Sequence, residues 1–133
     1  MLTKTKTIRV KGQRDMHISV PLAAYNLLRE YTKANGCTLT VAISIAVDRY
    51  NRLPDRPEPA SLGVCTSIRT DGKQCSHYRM PGGDTCSAHG VEYGRIVIAL
   101  PLELQTKLDR WAAQYGVTVN VMVALAIITT MKG

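Results

Sequence analysis

The residues best suited to chemistry lie in one window, CTSIRTDGKQCSHYRMPGGDTCSAHG, which holds Cys65, Cys75, Cys86 and His89. Three of the chain's 4 cysteines fall there. Three thiolates and an imidazole complete a closed tetrahedral shell around Zn2+, and the Cys86-x2-His89 step lets two ligands chelate from one turn. Gly72 before Cys75, and Pro81, Gly82 and Gly83 before Cys86, give each half the tight backbone a ligand loop needs. His77 is the alternative fourth ligand, set back by its closeness to Cys75. A disulfide between two of the cysteines is the competing reading, favoured by an extracellular setting. Four candidate ligands leave no open position, and the acids of the window, Asp71 and Asp84, sit in turn-like sequence. The expected zinc is therefore structural and not catalytic.

Charge is the second chemical feature. The chain carries a formal net charge of +7, and Lys4, Lys6, Arg9, Lys11 and Arg14 all precede the first acid, Asp15. Such a basic arm attracts polyanions; a solubilising tail is the plain alternative. With 45 % apolar and 20 % charged residues, the chain has an ordinary globular composition and not a disordered one. There is no phosphate-cradling glycine loop, no nucleophile flanked by a base and no paired acids on a helical face, so no enzyme is expected. The most apolar stretch, Val117 to Ile128, is broken by Thr118 and Asn120 and is shorter than the roughly 20 residues a bilayer needs. No apolar run follows the basic N-terminal residues, so no signal peptide is expected either. The expectation is a soluble cytoplasmic protein.

These groups need a scaffold, and the sequence repeats one. Setting Pro21 on Pro101 aligns Ile18 with Ile98, Leu28 with Leu108, Gly36 with Gly116, Thr38 with Thr118 and Ala46 with Ala126, without a gap. Each copy opens with apolar residues at period two, Met16, Ile18 and Val20 or Ile96, Ile98 and Leu100, the mark of a strand with one buried face. The proline then ends the strand and opens a helix. That helix carries an apolar stripe of Ala24, Leu28 and Tyr31, or Leu104, Leu108 and Trp111. Gly36 and Gly116 suit a left-handed helix end, and Thr38 and Thr118 suit the N-cap of a second helix. The last helix has apolar residues all round its axis, from Val119 to Ile128, so it must be buried by the first copy, the cysteine window or a second chain. Cys37 aligns with Val117 and reads as a small core residue. A lone strand with two helices cannot close a core, so each copy is half of something.

Strand, proline, helix, glycine turn, Thr cap and second helix, as quoted above, resemble the ribbon-helix-helix family of Arc- and MetJ-like repressors. The resemblance covers Asp15 to about Leu53 and Arg95 to the C-terminus. It implies that two copies pair their strands antiparallel into a ribbon that enters the DNA major groove, either within the chain as a pseudo-dimer or between chains of a homo-oligomer. It also implies that the outward strand residues before the proline meet base edges. These are Asp15, His17 and Ser19 in copy one and Arg95, Val97 and Ala99 in copy two. His17, Ser19 and Arg95 can hydrogen-bond a base, whereas Val97 and Ala99 offer only apolar contact. The helix starts at Thr38 and Thr118 are anion sites by nature, with Thr40 and Asn120 as added donors. The cysteine window, in turn, resembles small Cys3His zinc modules, with wider ligand gaps than Cys-x2-Cys fingers.

The fold class read from the sequence is mainly α with a short β-ribbon, built as tandem ribbon-helix-helix repeats flanking a zinc-binding module. The expected divisions are a basic arm over 1–14, copy one over 15–53, a proline-rich linker over 54–64, the zinc module over 65–90 and copy two over 91–133. The expected function is that of a DNA-binding regulator or accessory protein with double-stranded DNA as partner. The alternative is a protein-interaction module, an inhibitor or adaptor, on the same fold.

Overall fold

A computed structural model of the chain describes residues 15–63, 65–68, 70–75, 79–81 and 92–131. Strand β1 spans Met16–Pro21, helix α1 Leu22–Asn35 and helix α2 Leu39–Arg52. After a short 3-10 turn at Pro59–Leu62 come strand β2, Tyr93–Ile98, and helices α3, Leu102–Tyr115, and α4, Val119–Met131. The chain is thus mainly helical with one short ribbon, as expected.

Punctuation falls where the residue types require it. Pro21 and Pro101 stand immediately before α1 and α3, with φ of −55° and −54°. Gly36 and Gly116 end the same helices in the left-handed region, at φ 62° and 69°, where a Cβ would be strained. Thr38 and Thr118 cap α2 and α4: their hydroxyls accept from the backbone N–H of Val41 at 3.2 Å and of Val121 at 3.3 Å.

The two strands pair with each other, antiparallel, in a two-stranded sheet. The register sets Met16 opposite Ile98, His17 opposite Val97, Ile18 opposite Ile96, Ser19 opposite Arg95 and Val20 opposite Gly94. The pairing runs one step further, since Leu22 donates its N–H to the Glu92 carbonyl at 2.9 Å. Period-two patterning accounts for the sidedness: Ile18, Val20, Ile96 and Ile98 are buried, while His17, Arg95 and Val97 are exposed.

Beneath the ribbon runs α4. Met122 to Ile127 are all buried, and α4 packs on α1, α2, α3, β1 and the 3-10 turn. The burial demanded by its all-round apolar surface is thus met from within the chain, largely by the first strand and helices. Burying Met122, Val123, Leu125 and Ile127 is worth about 1.5–3 kcal/mol each. Cys37 is half-buried against the same core.

The proline-rich stretch behaves differently from a bare spacer. Pro59 is buried and Leu62 packs on the core. The Tyr50 hydroxyl donates to the Pro57 carbonyl at 2.5 Å, and the Arg56 guanidinium lies over the Trp111 ring, 5.4 Å from its centroid. Composition alone marks such a segment as a linker, because the contacts holding it down come from the end of neighbouring α2 and from distant α3.

Candidate nucleic-acid interface and cysteine pair

The solvent face of the ribbon is small and defined. His17 and Ser19 from β1 lie beside Val97 and Arg95 from β2, directly opposite in register. The Leu22 to Glu92 bond fixes which pairs exchange backbone hydrogen bonds. By alternation, the His17–Val97 and Ser19–Arg95 pairs are of the other kind, in which facing side chains approach most closely. The four outward groups therefore form one contiguous patch. Val97 is 58 % exposed, a large apolar residue in the middle of it.

One end of the patch is tied to a helix start. The Ser19 backbone N–H, which points away from β2, donates to Asn120 Oδ1 at 3.2 Å. The first turn of α4, capped by Thr118, is thereby anchored beside Ser19 and Arg95, and the Asn120 amide nitrogen keeps its donors. Nothing in the residue pattern signalled this link, because it joins residues from opposite ends of the chain. At the other end, the first turn of α2 borders a shallow cleft that Val41, Ser44 and Asp48 share with Pro101, Glu103 and Leu104. Thr40 is half-buried there, and its carbonyl accepts from the Ser44 hydroxyl at 2.9 Å. At both helix starts the cap hydroxyl accepts from the third residue of its own helix, while the N–H groups of the first two residues have no intrahelical acceptor. Of the expected contact residues, the structure brings together Ser19, Arg95, Asn120 and Thr118, with His17 alongside; Thr38 and Thr40 belong to the second helix start. Lys4, Lys6, Arg9, Lys11 and Arg14 lie outside the described residues.

Gly94 is a positioning residue that pattern-reading missed. Its backbone is buried, and a Cβ built on it would collide with Cβ, Cγ and Cδ1 of Tyr25. The ring thus seats β2 immediately before Arg95. Arg29 covers the outer side of Tyr25, 5.7 Å from the ring centroid, and donates to its hydroxyl at 3.3 Å.

Cys65 and Cys75 form a cluster of their own, separate from the main core, and are 0 % and 3 % exposed. A tight hairpin brings them together. Cys75 donates its N–H to the Ser67 carbonyl at 2.9 Å, Ile68 bridges Gln74, and the Gln74 side chain donates to the Cys65 carbonyl at 2.9 Å. The turn uses Gly72 at φ 84° and an Asp71 carboxylate that accepts from Lys73 N–H. The Ser67 N–H points at Cys65 Sγ from 3.4 Å. Among the described residues no group of three metal-ligating side chains gathers; the other proposed ligands, Cys86 and His89, and the alternative His77, lie outside them.

Among the described residues no single helix is long and apolar enough to cross a membrane. Comparison with protein-family models, with curated proteins and with solved structures finds no match for this chain.

Proposed function

We propose that the protein is a DNA-binding regulator or DNA-accessory protein whose ribbon enters the major groove as a ribbon-helix-helix pseudo-dimer made from one chain. The observation that carries this reading is the in-register pairing of β1 with β2, which puts His17, Ser19 and Arg95 on one solvent face. A two-stranded ribbon fits the major groove, where Arg bidentate to guanine is the commonest specific contact. In this reading the helix starts at Thr118 and Thr38 would meet phosphates on either side, and the basic arm of Lys4, Lys6, Arg9, Lys11 and Arg14 would add salt-dependent affinity without sequence information. In the same reading Cys65, Cys75, Cys86 and His89 hold a structural zinc. The buried cysteine pair, with a backbone donor on one sulfur, suits two ligands of such a site. When bound, zinc would cross-link a polar segment that has little core of its own.

A salt series of gel shifts with DNA from upstream of the protein's own gene tests the proposal. Binding should weaken steeply with added salt, and neutralising arm residues should lower the log–log salt slope by about 0.9 for each phosphate that is no longer paired with a cation. Affinity indifferent to both changes would overturn it. The exposed Val97 in the centre of the patch favours a second reading, in which the ribbon docks on a protein. Co-purification of a specific protein together with indifference to DNA would select that alternative.

A further inference from the structure

The two halves of the ribbon are not equivalent, and the register says how. The offset that sets Pro21 on Pro101 also sets His17 on Val97, and these two residues are opposite one another in the sheet. A pseudo-twofold axis therefore passes through the His17–Val97 pair. On one side of it stands Ser19 opposite Arg95. The same operation turns that pair into Ala99 opposite Asp15, one step beyond the paired residues at the other end. An identical pair of chains would carry the same groups at both ends; this chain carries a hydroxyl and a guanidinium at one end and a methyl and a carboxylate at the other.

The surroundings amplify the difference. The Ser19–Arg95 end has the Asn120 link and the capped start of α4. At the opposite end, the cleft beside the start of α2 contains Asp48 and Glu103, whose counterparts under the offset are the uncharged Ile128 and Ala23. Carboxylates oppose phosphate approach, an effect that Arg52 reduces at Asp48, whose carboxylate it meets at 3.2 Å.

We propose, on the basis of the DNA-binding reading above, that one chain recognises a non-palindromic duplex site in a single orientation. The Ser19–Arg95 end reads a guanine-containing half. At the Asp15–Ala99 end base readout is confined to what a carboxylate and a methyl can take, a cytosine amino group or a thymine methyl.

The test is selection from random duplexes with the full-length chain. Titrations of the selected site follow, on duplexes of about one helical turn, 10–10.5 base pairs, at one chain per duplex. The selected motif should lack dyad symmetry. Arg95→Ala should weaken binding between about five- and 150-fold and erase base preference in one half only. The double variant Asp15→Arg, Ala99→Ser gives the second half the groups of the first, and its selected motif should become an inverted repeat. A wild-type motif with equal halves, a double variant whose motif stays asymmetric, or duplex binding without base preference would overturn the orientation while leaving DNA binding intact. Absence of any salt-dependent duplex binding would remove the DNA reading and this inference together.

Discussion

The ring of Tyr25 fills the space that a side chain on Gly94 would need. Gly94 has no left-handed backbone conformation to protect, so its glycine is required for room. Gly94→Ala should therefore destabilise the fold by about 1–3 kcal/mol, the usual cost of overpacking, as read by urea denaturation. Combining it with Tyr25→Ala should give a loss smaller than the sum of the two single losses, because the ring is what the new methyl strikes. Strictly additive losses would mean that the strain lies elsewhere.

Tyr50 couples the proline-rich stretch to the core and makes stability sensitive to alkali. It meets Trp111 edge to face, with ring centroids 5.2 Å apart and planes at 82°. Burial, helped by the neighbouring Tyr115, pushes its phenol up to about 12, against the opposing pull of Arg56. The folded state thus holds the proton more tightly than the unfolded chain. The stability this contributes is complete below the ordinary tyrosine value near 10 and is lost as the pH rises from there through about 12. Tyr50→Phe should cost about 1 kcal/mol at neutral pH, through loss of the bond to Pro57, and should fall less steeply in stability across that alkaline window. Parallel urea titrations of the two proteins measure both effects.

Both threonine caps have the same job. Thr38→Ala and Thr118→Ala should each cost about 1 kcal/mol in thermal or urea unfolding, and Ser at either position should restore most of it. A duplex-binding loss in Thr118→Ala that exceeds the loss of folded protein would identify a phosphate contact at that helix start.

Metal content is directly measurable. The purified chain should carry one zinc by elemental analysis, and Cys65→Ser or Cys75→Ser should reduce it to background. Neither cysteine belongs to the main core, so chelation should leave the far-ultraviolet helical signal almost unchanged while exposing thiols to a colorimetric reagent. A full zinc load in both variants would discard the assignment.

Strands, helices and their ends were legible because each is written in local chemistry: period-two apolar residues at Ile18 and Val20, proline at Pro21, a left-handed glycine at Gly36, a cap at Thr38. The outward placement of His17, Arg95 and Val97 followed from the same alternation. What local chemistry does not encode is which strand pairs with which. Pairing of β1 with β2 depends on α4 finding its burial within the chain, a many-residue tertiary outcome that leaves no mark at either strand. The same reason hid the Asn120 to Ser19 bond, the fit of Tyr25 on Gly94 and the stacking of Arg56 on Trp111. All three join segments far apart in sequence, so no local pattern pairs their residues.

Closing both ribbon strands within one chain changes the order of the reaction by which the ribbon forms. Folding is unimolecular, so the ribbon has no concentration threshold, and dilution leaves the folded fraction unchanged. On the proposed DNA-binding reading, occupancy of a site bound by one chain would rise with the first power of protein concentration, without the sharpening that a monomer–dimer equilibrium adds.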